Sequence, residues 1–164
     1  MAGGPTSWST VPPRRRATPR KTRWLLVAVL FVHTVAVVAQ PLLAGRYLSG
    51  DVDAMGAHSL NGTMLPGLST LQIAAAALFW RPGRGPFWPV LASVALLLAE
   101  GVQIGMGYSR TLGVHIPLGV AIVTTTVGMF VWSLAWRPHP SPQVSPAGEA
   151  DLTAVIGSSG APWR

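Results

Sequence analysis

The chain has 164 residues, of which 49% are hydrophobic and only 10% are charged. Soluble domains carry about 25% charged residues, so this composition favours an integral membrane protein. The net charge of +7 does not indicate nucleic-acid binding, because the basic residues flank apolar segments instead of forming a separate patch. Cysteine is absent, which excludes disulfides, thiolate metal sites and cofactor attachment through cysteine.

Two polar segments flank the apolar part of the chain. Residues 1–23 are rich in Pro, Arg, Gly, Ser and Thr, and residues 137–164 are rich in Pro, Gly, Ala and Ser. Neither segment has enough apolar surface to offset the entropy cost of ordering it. We therefore predict disordered tails at 1–23 and 137–164, around a membrane domain at 24–136.

Four apolar segments lie between the tails, at 24–45, 58–80, 87–108 and 114–136. Each is close to the ~20 residues with which a helix crosses the hydrocarbon core. Helices also satisfy their own backbone hydrogen bonds in lipid. Because short connections favour antiparallel neighbours, the sequence predicts an all-α, up-down-up-down four-helix bundle with diagonal second and fourth helices.

The distribution of basic residues predicts the orientation in the membrane. They concentrate before the first segment, between the second and third, and after the fourth: Arg14, Arg15, Arg16, Arg20, Lys21, Arg23, Arg81, Arg84 and Arg137. Only Arg46 and Arg110 lie in the other two connections. The positive-inside rule then places both termini in the cytoplasm of a multi-pass protein of the bacterial plasma membrane. The aromatic residues agree, since five tryptophans fall at the inner interface while Tyr47 and Tyr108 fall at the outer one.

Two histidines open apolar segments in the same way. His58 is followed one turn later by Gly62, and His115 by Gly119. Both segments begin at the outer face, on diagonal helices whose axes should lie roughly 11–14 Å apart. This spacing predicts haem b held between His58 and His115 as axial ligands, with the two glycines giving room to the porphyrin. The alternative is interfacial histidines bonded to loops, with glycines that serve helix packing.

Four other polar residues are candidates for cofactor binding, and His33 is a fifth residue that could bind a ligand. Arg46 and Arg110 lie on the same outer side and can pair with haem propionates, or simply anchor helix ends at lipid headgroups. Glu100 is the only acidic residue within an apolar segment, and Gln103 lies one turn further on the same face. Glu100 can bond a cofactor, bind a quinone, pass protons, or bond a neighbouring helix. His33 lies near mid-membrane, where it can bond Glu100 or Gln72 or bind a ligand alone.

The chain also contains a weak internal repeat. One copy runs from Gln40 to Gly62 and the other from Gln103 to Gly119. Each copy has a helix that ends in Gln and Gly, a turn with Arg and Tyr, and a helix that starts with His. The pattern describes two tandem helical hairpins, although apolar membrane sequence also produces such matches by chance.

In its four-helix layout and in the positions of His58 and His115, the 24–136 core resembles one four-helix half of haem A synthase. It also resembles small four-span bacterial membrane proteins of the same layout. In haem A synthase each half has one His at the outer start of its second helix and one at the outer start of its fourth, which His58 and His115 match. The resemblance implies haem b ligation by this pair. It does not imply the enzymatic activity, because the enzyme has two such halves and a first outer loop with glutamates, where this chain has only Asp51 and Asp53.

These observations predict a haem b protein for electron transfer, haem handling or assembly of a respiratory complex. Its expected partners are the lipid bilayer and a quinone or a respiratory-complex subunit, and a homodimer is compatible with the sequence. One alternative is an accessory or interaction subunit without haem. Another is a membrane protein that binds a quinone or small molecule through Glu100, Gln103 and His33. No residue is assigned a catalytic role, and enzymatic activity is left open.

Overall fold

A computed structural model describes residues 19–137 of the chain. It contains the helices α1 (Pro19–Leu48), α2 (Asp53–Trp80), α3 (Trp88–Tyr108) and α4 (Leu112–Ala135). All four are long and apolar enough to cross a membrane. The predicted all-α fold is therefore confirmed for this part of the chain. Most of the predicted tails, at 1–18 and 138–164, lies outside the described residues.

The helices are arranged as a ring in chain order. α1 packs against α2, α2 against α3, α3 against α4, and α4 closes the ring against α1, while the diagonal pairs make no close backbone approach. Because the connections 49–52 and 109–111 are short, consecutive helices run antiparallel. The predicted diagonal relation of α2 and α4 is confirmed, and both of these helices start at the same end of the bundle. We call this end the histidine end.

Polar side chains are buried in the bundle beside an apolar core, while many large apolar side chains lie on its outer surface. The interior contains polar side chains that are 1% exposed or less: His33, Ser69, Gln72, Ser93, Glu100 and Thr126. The outer surface carries large apolar side chains, among which Leu42, Leu98 and Val120 are more than 60% exposed. Such a surface would be unstable in water and suits contact with lipid, which supports a multi-pass membrane protein.

A tight turn joins α2 to α3 at the opposite end. Its backbone wraps around Phe79, so that a Cβ atom on Gly83 or Gly85 would collide with the Phe79 carbonyl or ring. Phe79 in turn packs edge-on against Trp136, with ring centres 4.9 Å apart. The two glycines therefore allow the turn to pack closely on Phe79 and Trp136 at this end of the bundle.

The first helix begins earlier than the sequence predicts. Residues 19–23 were expected in the N-terminal tail, but they form the first turn of α1. The Arg23 guanidinium donates hydrogen bonds to the carbonyls of Ser133 (3.1 Å) and Leu134 (2.8 Å) at the end of α4. A cation is favourable at a helix C-terminus, where carbonyls have no partner within the helix. This contact joins the start of α1 to the end of α4.

Candidate site at the histidine end

His58 and His115 meet at the histidine end of the bundle. His115 lies in the first turn of α4, and His58 lies in the second turn of α2, because α2 starts at Asp53. The ring centres are 6.3 Å apart and the ring planes are inclined by 54°. The two imidazoles thus approach each other across the diagonal, as the sequence predicts.

Each imidazole is held by a backbone carbonyl of the preceding helix. The Nδ1 atom of His58 lies 3.1 Å from the Gln40 carbonyl oxygen, and that of His115 lies 3.0 Å from the Gln103 carbonyl oxygen. Since a carbonyl only accepts, both Nδ1 atoms must carry the hydrogen and donate it. In a neutral ring this leaves Nε2 with a free lone pair. No residue within 19–137 forms a hydrogen bond to either Nε2 atom.

This geometry fits axial ligation of a metal. Histidines that bind metals usually donate their second ring nitrogen to a carbonyl or carboxylate, which fixes the tautomer. With metal–nitrogen bonds of about 2.0–2.1 Å, imidazoles on opposite sides of one metal have ring centres roughly 6 Å apart. The observed 6.3 Å agrees with that separation.

Two imidazoles are the donors that the described chain brings together at the histidine end. Among residues 19–137, no group of three or more His, Cys, Asp or Glu side chains could hold a metal ion. Two imidazoles suffice only for a metal that brings its other ligands, as haem iron does with its four porphyrin nitrogens.

Gly62 and Gly119 face glutamine side chains. A Cβ atom at Gly62 would lie 2.8 Å from Nε2 of Gln40, and one at Gly119 would lie 2.8 Å from Nε2 of Gln103. The glycines therefore let α1 pack closely on α2, and α3 on α4. The structure supports the packing role that the sequence left as an alternative, and it gives no support to the predicted porphyrin space at these two positions.

The internal repeat corresponds to repeated contacts. In each half, a glutamine carbonyl accepts from a histidine Nδ1 and the glutamine amide packs on a glycine one turn after that histidine. In the second half, Nε2 of Gln103 also donates to the His115 carbonyl at 2.8 Å. The two hairpins thus hold their histidines in the same way.

Sequence reasoning missed Gly107 as a residue of this site. A Cβ atom on Gly107 would lie 3.0 Å from Cε1 and 3.3 Å from Nδ1 of His115. The imidazole therefore lies directly against the α3 backbone. The available signal was the position of Gly107 one turn after Gln103, within the repeat copy that runs from Gln103 to Gly119.

We expect Gly107→Leu to weaken haem retention, because the new side chain would displace the His115 ring from its carbonyl partner. Gly105→Leu is a matched control in the same helix, since a Cβ atom there would meet nothing within 4 Å. Haem content per protein after purification measures the effect. Equal haem content in the two variants would show that the position of His115 against Gly107 is unimportant.

The two predicted propionate partners differ in the structure. Arg46 forms an ion pair with Asp51 in the α1–α2 connection, in which Nε (3.0 Å) and one terminal guanidinium nitrogen both donate to Oδ2. The Arg46 side chain is 67% exposed, and an exposed ion pair contributes only about 0–1 kcal/mol to stability. Arg46 can therefore leave Asp51 and pair with another carboxylate at little cost. Arg110 is exposed and adopts a left-handed backbone conformation with φ of 56°. Its side chain has no partner within residues 19–137.

Glu100 belongs to a separate site deeper in the bundle. Its Oε1 atom lies 2.9 Å from His33 Nε2 and accepts a hydrogen bond from Ser69 at 3.0 Å. His33 Nδ1 lies 2.7 Å from Oε1 of Gln72. His33 thus bonds both of its predicted partners, and the network joins α1, α2 and α3. Ser69 lies eleven residues after His58 in α2, an axial rise of roughly 16 Å. In α3, Glu100 lies one turn from Gln103, whose carbonyl contacts His115.

The residues suggested for quinone binding do not line the groove that lies between α3 and α4. An apolar groove of about 320 Å³ lies between α3 and α4. It is lined by Ala92, Ala95, Leu96, Ala99, Leu118, Ala121, Ile122 and Thr125. Glu100, Gln103 and His33 are not among these residues, so the groove does not support a quinone site built from them.

Comparison with known proteins adds no assignment. No protein-family model, curated protein or solved structure matches this chain.

Proposed function

We propose that this chain is a plasma-membrane haem b protein in which His58 and His115 are the axial ligands. The observation that carries the proposal is the pair of imidazoles 6.3 Å apart, each fixed through Nδ1 by a backbone carbonyl. The likeness of its layout to one half of haem A synthase supports the same ligand pair. The proposal extends to the ligands and not to that enzyme's reaction.

Electron transfer is the function that this geometry supports best. When bound, haem supplies one-electron redox chemistry. With His58 and His115 both holding it, haem would have no position left for oxygen or a substrate, so ligand activation is disfavoured. The carbonyls of Gln40 and Gln103 orient the rings and increase the basicity of the ligating nitrogens. Haem handling and assembly of a respiratory complex are further uses of the same bound group, with a quinone or a complex subunit as partner.

An absorption spectrum of the purified chain tests the proposal. Protein produced with ample haem should show a Soret band and a sharp α-band on reduction, with a stoichiometry near one haem per chain. A colourless protein would overturn the proposal and favour an accessory or interaction subunit without a cofactor.

We also propose that both termini are cytoplasmic, so that the histidine end faces outward. The reason is the concentration of Arg and Lys at the end that holds the 81–87 turn, according to the positive-inside rule. Reporter fusions after Arg84 and after Arg137 should then read cytoplasmic, and fusions within 48–56 should read external. An external signal from the Arg84 fusion would invert the orientation and place the histidine pair at the inner face.

A further inference from the structure

The end of the bundle that holds the 81–87 turn carries exposed cations without acidic partners, and we call it the basic end. Within residues 19–137, four exposed basic side chains at this end form no ion pair and no hydrogen bond: Lys21, Arg81, Arg84 and Arg137. The acidic residues of this part of the chain lie elsewhere, since Asp51 and Asp53 are at the histidine end and Glu100 is buried in the interior. The described chain therefore does not neutralise the positive charge at the basic end.

Helix α1 begins directly beside the α2–α3 turn. A Cβ atom on Gly83 would collide with Oγ1 of Thr22, so the first turn of α1 lies against the backbone of the 81–87 turn. Lys21 precedes Thr22 in α1. Arg81 and Arg84 lie on either side of Gly83 in the turn. Cations from two segments that are distant in sequence are therefore neighbours in the fold.

The turn holds its two cations in a fixed place. The backbone amides of Gly83 and Gly85 donate to carbonyls at the end of α2, at 3.1 and 2.9 Å. Arg84 lies between these glycines in a left-handed conformation with φ of 58°. The Arg81 guanidinium lies over the Trp80 ring, 4.7 Å from its centre, which is a cation–π contact. An anion that binds here therefore needs little further ordering of the backbone.

Tryptophans surround the basic end. All tryptophans of residues 19–137 lie there: Trp24, Trp80, Trp88, Trp132 and Trp136. Trp24 and Trp88 are 50% and 38% exposed. Tryptophan concentrates at the level of lipid headgroups, because its ring is apolar and its N–H group is polar. The cations of the basic end are therefore expected at the level of the lipid phosphates.

We propose that Lys21, Arg81 and Arg84 bind the headgroup of an anionic phospholipid, whose acyl chains lie against the apolar outer surface of the helices. The lipid phosphate accepts hydrogen bonds from guanidinium groups, and its negative charge complements the unpaired cations. A zwitterionic phospholipid has the same phosphate but no net charge, so it binds more weakly. The site does not depend on haem, because it lies at the end opposite His58 and His115.

Quenching of tryptophan fluorescence by brominated lipids tests the site. The full chain carries Trp8→Phe and Trp163→Phe, so that the signal comes only from the basic end. It is placed in vesicles of phosphatidylcholine and phosphatidylglycerol in which one of the two lipids is brominated. Phosphatidylglycerol should bind with a preference of at least about tenfold, since each cation near an anionic surface contributes about fivefold. Equal quenching by the two lipids would overturn the proposal.

Arg84→Asn should reduce this preference several-fold. Arg110→Asn is the matched control, because Arg110 is also exposed, lies in a connection between helices and has a φ of 56°. Asparagine tolerates the left-handed conformation, so both variants should keep their backbone. The control removes the same charge at the histidine end and should keep the preference. An equal loss in both variants would overturn the site, since the net charge of the chain would then attract the lipid.

A soluble phosphate distinguishes the lipid from its headgroup alone. Excess glycerol phosphate in the buffer should leave the quenching by phosphatidylglycerol unchanged, because it has no acyl chains to hold it at the helices. Displacement of the lipid by glycerol phosphate would overturn the proposal and make a soluble phosphate the ligand. Both lipids are compared on the same preparation, so the outcome is distinct from a failure to bind haem.

Discussion

Replacing His58 or His115 with alanine is expected to abolish the low-spin, six-coordinate haem spectrum completely. The reason is geometric, because iron needs a nitrogen on each face of the porphyrin and the structure brings these two imidazoles together with ring centres 6.3 Å apart. A single replacement leaves one axial ligand, so the remaining haem should be high-spin or lost during purification. Absorption spectra of oxidised and reduced protein measure the change.

Two controls separate ligand loss from general damage to the bundle. His33→Gln and Thr126→Val alter buried polar positions but leave the histidine pair in place. Both variants should retain the low-spin spectrum. If His58→Ala kept that spectrum and His33→Gln lost it, the axial ligand would be His33 and the histidine pair would be a packing contact.

The helices could be predicted well from the sequence, apart from some of their ends. Apolar length determines where a chain can cross lipid, and all four apolar segments form helices. The first two helices extend past the apolar segments because polar residues can continue a helix outside the hydrocarbon layer. Arg23 reaches the carbonyls of α4, and Asp53 lies in the first turn of α2, where a negative charge is favourable.

The site could be predicted only in part. The pairing of His58 and His115 could be predicted because each lies near the start of its helix. The up-down topology places the starts of α2 and α4 at the same end of the bundle. The partners of the two histidines could not be identified, since every residue has a carbonyl and only the folded chain shows that those of Gln40 and Gln103 are used. The role of Gly62 was ambiguous for the same reason, as a helical glycine makes room for a cofactor and for a neighbouring side chain equally well.

The hydrogen-bond network around His33 and Glu100 could also be predicted only in part. Glu100 and His33 are visible in the sequence because ionisable residues are rare in apolar segments. Ser69 and Ser93 are not, since serine is common in membrane helices and most often bonds its own backbone. Only the packing of α2 against α3 shows that these hydroxyls complete the bonding of Glu100 and Gln72.

Glu100→Leu is expected to destabilise the folded bundle by about 2–4 kcal/mol, since it removes one partner of a buried pair. The change removes the acceptor of Ser69 and the partner of His33, and it leaves a fully buried imidazole nitrogen unpaired. Interhelical hydrogen bonds in membranes contribute only about 0.6 kcal/mol on average, so most of the loss comes from the unpaired His33 and not from the missing bonds. Unfolding of the purified chain in mixed micelles by increasing denaturing detergent measures the change.

The double variant His33→Leu with Glu100→Leu tests that assignment. Because replacing both members of a buried pair with apolar residues is often nearly neutral, the double variant should be more stable than Glu100→Leu alone. Gln72 loses its bond to His33 but keeps its bond to Ser93, which limits the remaining cost. The coupling energy from the cycle should be at least about 1 kcal/mol, as is typical of residues in direct contact. Additive losses would mean that the two side chains do not interact in the folded protein.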